Sequence, residues 1–386
     1  MAARVGICAV AQTTWQRNKW GERFQGMALK VLDELREKTG VDFAKRKKGE
    51  HGIEMSISVS DDVFDARTIS DNAMTDVLGA HFGCEEKVAQ EGIQAVYYAL
   101  AAIGSGHKDM VLVMGHCKES QSASRNMCTH VAFDPFFTRP LGLDFQAAAG
   151  LQARAYADRT GISDDQLAKV VVRARERASK NQFTPETEKV SAGEVAASQL
   201  IADPVRELHA YPVSDGAVGM ILATEEVAKK ICDKPVWVTG VGNCMDRFFL
   251  GDRDLSGSFA IKNAAERACK RAGISDPKKA FDVIEVSDQY AYQLPMWMEG
   301  LGLIDENGGP AWVDSDGADK MNVNSTGGML AGNPMMLGGL VRAAEAARQL
   351  MGECGELQVD GAKTALAHGV MGPAGQFHSV ATLATD

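Results

Sequence analysis

The sequence has no apolar run long enough to span a membrane, and its first residues lack the pattern of a secretory signal peptide. It contains 8 cysteines, but none of them forms a Cys-x-x-Cys pair or has the cysteine–histidine spacing of a zinc site. We therefore expect a cytoplasmic protein with no metal site and no disulfide framework.

Positive charge is also scarce. The chain has 41 Lys and Arg against 51 Asp and Glu, which gives a formal net charge of −10. Binding to nucleic acid in general requires a concentrated basic face, and the one basic run, residues 45–48, is short and followed by Glu50. The charge balance therefore argues against a general nucleic-acid binder.

A chain of 386 residues, 45% of them hydrophobic, can bury a large core, arranged as two domains or as one duplicated unit. Candidate strands and helices alternate along it, which predicts a mostly parallel or mixed sheet with covering helices. Residues 118–209 interrupt this alternation with a long excursion, so we expect an inserted loop subdomain there.

After residue 234 the order of predicted elements starts again, and residues 216–224 resemble residues 375–385. A repeated order of elements indicates an internal duplication. We predict an N-terminal half over residues 1–231, which carries the loop subdomain at about 118–209, and a C-terminal half over residues 232–386.

Residues 322–339 form a glycine-rich loop in which Asn333 stands between a glycine and a proline. Residues 340–351 have helical composition and spacing, so the loop leads into a helix N-terminus, where backbone N–H groups favour a ligand oxygen. The loop is therefore a candidate ligand site. The alternative is a flexible connection between two elements.

Several motifs occur in the order that is typical of thiolases of the sterol-carrier-protein type, and the resemblance covers nearly the whole chain. The segments that carry it are residues 91–96 with 103–106, 111–115, 212–217, 284–290 with 298–302, 324–328 and 332–334. The resemblance implies a thiolase fold, an α/β architecture of five layers (αβαβα) built from two similar halves. It also implies a homodimer that uses coenzyme A as co-substrate and holds no cofactor permanently.

The catalytic positions depart from the family pattern. Ala89 stands where a thiolase has its nucleophilic cysteine, and alanine cannot be acylated. Asn333 replaces the histidine of the Gly-His-Pro motif, residues 287–290 replace a further catalytic motif, and His368 falls near the acid/base cysteine.

Four residues are candidate catalytic groups. His368 would move a proton, because imidazole titrates near neutral pH, and Asn333 would stabilise a thioester or enolate oxygen. Tyr290 would donate a proton to the reacting carbonyl, and Cys84 is the nearest thiol in sequence to Ala89. Each has a structural alternative: a buried histidine, a turn-forming asparagine, a core aromatic residue and a buried cysteine. For coenzyme A we expect contacts from Gly328, Gly332 and Ser258.

The resemblance favours carbon–carbon bond chemistry on an acyl-CoA, with thiolytic cleavage of a β-ketoacyl-CoA as the first candidate. Residues 133–144 and the lost cysteine and histidine set resemble thiolase-like subunits that act with a small zinc-ribbon/OB-fold partner, such as the benzoylsuccinyl-CoA thiolases of anaerobic toluene degradation. A retro-aldol lyase acting on a β-hydroxyacyl-CoA needs no thiol nucleophile and is the second candidate. A non-catalytic acyl-CoA or lipid-binding protein is the third.

Overall fold

A computed structural model describes residues 4–43, 45, 49–50, 52–64, 70–80, 83–122 and 124–386. The strands are β1 Val5–Gln12, β2 Met55–Val59, β3 Glu85–Val88, β4 Met110–Lys118, β5 Leu200–Ala202, β6 Val205–Arg206, β7 Asp215–Thr224, β8 Val236–Met245, β9 Val283–Val286, β10 Thr364–Met371 and β11 Phe377–Ala384. The helices are α1 Phe24–Thr39, α2 Gly92–Gly104, α3 Arg125–His130, α4 Phe145–Thr160, α5 Asp164–Ala178, α6 Ala192–Ala197, α7 Glu225–Ile231, α8 Phe259–Ala272, α9 Gln293–Gly300, α10 Gly309–Asp314, α11 Gly317–Lys320 and α12 Gly338–Met351. None of the described helices is both long and apolar enough to cross a bilayer.

One sheet of nine strands runs in the order β3-β2-β4-β7-β1-β8-β11-β10-β9. The first five strands of this order belong to the first half of the chain and the last four belong to the second half. The second half repeats the first: β8, β9, β10 and β11 take the places of β1, β2, β4 and β7. In the second half, Val323 makes a parallel bridge to Ile284 of β9, and it thereby takes the position that β3 has beside β2 in the first half. The expected duplication is therefore visible in the topology, and the similar segments 216–224 and 375–385 belong to the equivalent strands β7 and β11.

Helices separate the two halves of the sheet and cover both outer faces. Helices α2 and α12 pack against each other and against strands of both halves, whereas α1 covers the first half and α8 covers the second. Three hydrophobic cores fill the spaces between these layers: one surrounds the central helices, one lies under α1 and one lies under α8. The predicted five-layered αβαβα fold is confirmed.

The chain leaves the sheet after β4 and returns at β7, although these two strands are antiparallel neighbours. The excursion contains α3, α4, α5, α6 and the small β5–β6 sheet. Residues of α4 and α5 share a hydrophobic core with α8 and α9 of the second half. The boundaries at residues 118, 209 and 231 stay predictions.

The two central helices meet at their N-termini because Gly92 has no side chain. A Cβ atom at Gly92 would lie 2.2 Å from Cβ and 2.3 Å from the backbone N of Leu340, which is in the first turn of α12. The first turns of α2 and α12 are therefore in backbone-level contact.

We expect Gly92→Ala to lower the free energy of unfolding by about 1–3 kcal/mol, because overpacking forces a backbone shift. Denaturant unfolding measures this loss. Gly104→Ala at the other end of α2 is the matched control, since a Cβ there meets no atom within 4 Å. Equal stability of the two variants would contradict the close contact.

Candidate functional site

Glu91 lies where the N-termini of α2 and α12 meet β10. Its carboxylate caps α2 by accepting the N–H groups of Ile93 at 2.8 Å and Gln94 at 2.6 Å. A Cβ atom at Gly339 or Gly369 would lie 2.0 or 1.9 Å from Glu91 Oε2, so only glycine leaves room for the carboxylate. We call this meeting point of α2, α12 and Gly369 the helix junction.

The Glu91 carboxyl is fully buried. Burial raises its pKa to about 7, and the Ser379 hydroxyl and the two capping N–H groups only partly oppose this rise. A carboxyl with a pKa near neutrality can both accept and release a proton under ordinary conditions. The helix junction therefore holds a buried carboxyl whose protonation is sensitive to pH near neutrality.

Asn333 is the second unusual group of this region. Its side chain is 1% exposed, yet neither Oδ1 nor Nδ2 has a hydrogen-bond partner among the described residues. Gly332 before it has φ 126°, in the range that favours glycine, and the loop then enters α12 through residues 335–337. Because an unpaired buried amide is costly, this position is suited to a ligand oxygen or hydrogen-bond donor.

Asp288 shapes the loop before Asn333. Its Oδ1 accepts the N–H of Met329 at 2.6 Å, and burial raises its pKa to about 6 against the influence of Arg342 and that N–H. A Cβ atom at Gly328, where φ is 68°, would lie 2.5 Å from Asp288 Oδ1. Gly328 therefore makes room for this carboxyl, and its predicted contact with coenzyme A stays a prediction.

His368 lies on the face of β10 that is turned away from the central helices. Strand β10 alternates, so Ala367 faces the central helices while His368 lies on the opposite face with Trp297 and His378. Burial, with His378 adding to its effect, lowers the pKa of His368 well below its ordinary value. Burial thus disfavours the charged imidazole, and the proton-moving role expected for His368 stays a prediction.

A chain of hydrogen bonds joins His368 to Ser258. His368 Nε2 is 2.9 Å from His378 Nδ1, and His378 Nε2 is 3.2 Å from the Ser258 hydroxyl. Ser258 caps α8 by accepting the N–H of Ile261 and lines a cleft of about 790 Å³. The structure thus connects two predicted site residues, and their roles stay predictions.

Tyr290 is buried between Tyr211 and Tyr292, with ring centroids 6.2 Å from each. Burial raises the pKa of its hydroxyl, so the phenol keeps its proton at neutral pH. This environment fits a core aromatic residue, and a proton-donating role stays a prediction.

The C-terminal part of the chain, residues 244–385, matches the family model described as "Thiolase C-terminal domain-like". An acetyl-CoA acetyltransferase of Methanothermobacter thermautotrophicus is 32% identical over 75% of this chain and 76% of its own length. The chain belongs to the thiolase family. Human sterol carrier protein 2 is 28% identical over 72% of the chain and 54% of its own length, and the benzoylsuccinyl-CoA thiolase subunit BbsB of Thauera aromatica is 24% identical over 71% and 72%.

Solved structures share the fold of this thiolase-family chain. The Ltp2-ChsH2(DUF35) aldolase superposes with a TM-score of 0.81 at 16% identity, over 99% of this chain and 98% of that chain. A monomeric SCP2-thiolase like protein type 1 from Mycobacterium smegmatis superposes with a TM-score of 0.74 at 18% identity, over 99% and 77%. At these identities the superpositions support the fold alone.

The thiolase-family chain has no thiol where the family nucleophile belongs. Ala89 is exposed in the loop between β3 and α2, two residues before Glu91. Cys84 precedes β3, whereas Ala89 follows it, and an extended strand rises about 3.3 Å per residue, so about 16 Å separate them. The structure therefore does not bring Cys84 to the helix junction, because β3 lies between Cys84 and Ala89 and keeps them at opposite ends of the strand.

Sequence reasoning did not single out the buried carboxyl of Glu91. An acidic residue directly before a helix is the usual signal of an N-cap, and that signal is present at Glu91. The carboxyl is buried against Gly339 and Gly369, which are distant in sequence. Local patterns alone therefore predict the cap and not the burial that raises the pKa of this carboxyl.

Proposed function

We propose that this thiolase-family protein breaks or forms a carbon–carbon bond next to the thioester of an acyl-CoA, with coenzyme A as substrate or product. The observation that carries the proposal is the buried side-chain amide of Asn333, which has no hydrogen-bond partner among the described residues. The loop that holds Asn333 continues into α12. Such an amide donor can stabilise the enolate oxygen that develops when this bond breaks.

In the thiolytic reaction, coenzyme A attacks the β-carbonyl carbon of a β-ketoacyl-CoA directly. Glu91 accepts the proton of the thiol, the electrons of the broken carbon–carbon bond move to the α-carbon, and the enolate oxygen accepts a hydrogen bond from Asn333. Glu91 then returns the proton to the α-carbon, and two acyl-CoA products leave. No acyl group is carried by Ala89, which accounts for the missing thiol at that position.

A retro-aldol reaction is the second candidate, because it needs no thiol at the position of Ala89 and can use Glu91 as its base. Glu91 accepts the proton of the β-hydroxyl group, the carbon–carbon bond breaks to give a carbonyl compound and the same enolate, and the proton returns to the α-carbon. This reaction does not consume coenzyme A.

The names of the relatives support the thiolytic reaction first. Acetyl-CoA acetyltransferases and a benzoylsuccinyl-CoA thiolase subunit are among them, so benzoylsuccinyl-CoA is a candidate substrate and toluene degradation a candidate context. The aldolase complex of the same fold keeps the lyase reaction open.

Product analysis separates the two reactions. A panel of β-keto and β-hydroxy acyl-CoA substrates, with and without free coenzyme A, is incubated with the protein purified from its native source together with any subunit that accompanies it. The products are analysed by liquid chromatography and mass spectrometry. We expect cleavage of β-ketoacyl-CoA only when coenzyme A is present. Cleavage of β-hydroxyacyl-CoA without coenzyme A assigns the lyase reaction instead, and absence of cleavage in every arm contradicts the proposed function.

We also propose that the chain acts as a homodimer with a small zinc-ribbon/OB-fold partner subunit. A partner subunit is supported by the relative that is named a subunit and by the aldolase structure of the same fold, whose title contains a DUF35 component, whereas the homodimer rests on the family resemblance. Phe136, Phe137 and Leu141 of the excursion are 82%, 72% and 82% exposed and offer an apolar surface. Co-purification of a partner from the native source supports the proposal, and full activity of the isolated chain contradicts the need for one.

A further inference from the structure

A second cleft, of about 780 Å³, opens beside the loop that holds Asn333. Its wall includes Gly332 from that loop, Tyr211 from the segment before β7, and the arginines Arg125 and Arg175 from the excursion. The cleft therefore connects the residue next to Asn333 with two guanidinium groups.

Arg175 lies on α5, which packs directly against the glycine loop. A Cβ atom at Gly327 would lie 2.9 Å from the carbonyl oxygen of Ala174 and 3.0 Å from the backbone N of Ala178. The backbone on both sides of Arg175 is thus in contact with the loop that continues to Asn333. An anion bound by Arg175 would occupy the same cleft that Gly332, the residue before Asn333, lines.

The guanidinium of Arg175 has no acceptor among the residues that the structure describes, and its Nε is buried. Burial alone lowers the pKa of Arg175, with no carboxylate opposing that effect, although Glu186, Glu188 and Glu207 also line the cleft. Arg173 and Arg177 of the same helix both pair with Asp319 instead. Because a partly buried guanidinium without an acceptor gains from a nearby anionic oxygen, Arg175 is a candidate binding group for an anionic ligand.

Arg125 adds a second donor to the cleft wall. Its Nε donates to Glu119 at 2.6 Å and its Nη1 donates to the carbonyl of Tyr211 at 2.9 Å, which fixes the guanidinium over the Tyr211 ring. Its Nη2 is buried and has no partner among the described residues. A rigid guanidinium whose Nη2 has no acceptor is a directional donor for an oxygen atom.

We propose that Arg175, assisted by Arg125, binds a carboxylate on the acyl part of the substrate, so that the protein acts on the CoA thioester of a dicarboxylic acid. The inference rests on the proposed function, because it concerns the substrate of the same site. The phosphates of coenzyme A are the other source of anionic oxygens. They are separated from the thioester by the whole pantetheine arm, whereas a carboxylate on the acyl group lies near the reacting carbon.

Binding measurements test this inference without requiring turnover. Isothermal titration calorimetry with succinyl-CoA, butyryl-CoA and free coenzyme A compares two acyl groups of equal carbon number that differ in a terminal carboxylate. We expect the wild-type protein to bind succinyl-CoA about 10- to 100-fold more tightly than butyryl-CoA, which is typical of hydrogen bonds to a charged group. Arg175→Gln should remove this preference and leave the binding of butyryl-CoA and coenzyme A unchanged.

Arg177→Gln is the matched control, because it removes the same charge from the same helix at a surface ion pair, and it should keep the preference. Arg175→Lys keeps the charge and should retain part of the preference, which guards against a folding defect in Arg175→Gln. Equal weakening of all three ligands by Arg175→Gln assigns the contact to coenzyme A itself and overturns the inference. Binding of all three without preference in the wild type also overturns it and leaves the proposed function standing, whereas binding of none overturns both.

Discussion

Replacing Asn333 by alanine should lower turnover by about a hundred- to a thousandfold, which is typical for the loss of one donor to a developing oxyanion. The same change should leave the unfolding temperature unchanged or slightly raised. The reason is that the buried amide makes no hydrogen bond with any described residue, so its removal takes away an unsatisfied polar group. Steady-state kinetics and thermal unfolding of one preparation measure both effects.

Asn324 is the matched control for Asn333, because it is the same residue type, equally buried, in the same loop. Its side chain donates to the carbonyl of Val286 at 3.0 Å and accepts the N–H of Val286 at 2.7 Å. Asn324→Ala should therefore destabilise the fold by about 1–3 kcal/mol. A loss of stability in Asn333→Ala as large as in Asn324→Ala, with turnover unchanged, would show that Asn333 is only a turn residue.

Glu91→Gln should lower turnover by about a hundred- to ten-thousandfold, the range expected for loss of a general acid–base group. In the wild type, turnover should rise as pH increases through about 7, because the ionised carboxylate accepts the first proton in both candidate reactions. The variant should lose this dependence. Asp144→Asn, which weakens the N-cap of α4 instead, should keep it, and an unchanged pH profile in Glu91→Gln would remove Glu91 from the mechanism.

The same carboxyl should affect stability with a definite sign. Its pKa is raised in the folded state from 4.5 to about 7, so the folded protein binds more protons than the unfolded chain between these values. The contribution is fully present below about pH 4.5 and is lost as pH rises through about 7. Denaturant unfolding of the wild type and Glu91→Gln at several pH values isolates it, because the variant lacks this part of the pH dependence.

Much of the architecture follows from the sequence because it depends on repeated local patterns. The similar segments 216–224 and 375–385 are equivalent strands, and the helix after residue 340 has the expected position. Asn333 could be found because glycine and proline on either side fix a turn whatever the tertiary structure. The structure buries the Asn333 amide in this loop, and its role in binding an oxyanion stays a prediction for the kinetic test.

The remaining features depend on contacts between distant parts of the chain. The face of β10 on which His368 lies is set by strand register, and a shift of one residue reverses it. Cys84 is near Ala89 in sequence, but the extended strand β3 between them places the two residues far apart in space. Neither the burial of Glu91 by Gly339 and Gly369 nor the lack of an acceptor for Arg175 can be deduced from neighbouring residues.

The central claim is that this thiolase-family chain performs carbon–carbon bond chemistry on an acyl-CoA without a thiol at the position of Ala89. The most direct measurement takes the protein as purified from its native source with any accompanying subunit, quenches it during turnover of the substrate panel, and records the products and the intact protein mass together. We predict cleavage products at every time point with the protein mass unchanged. An acyl adduct on any of the 8 cysteines, or the absence of cleavage from the whole panel, would contradict the account.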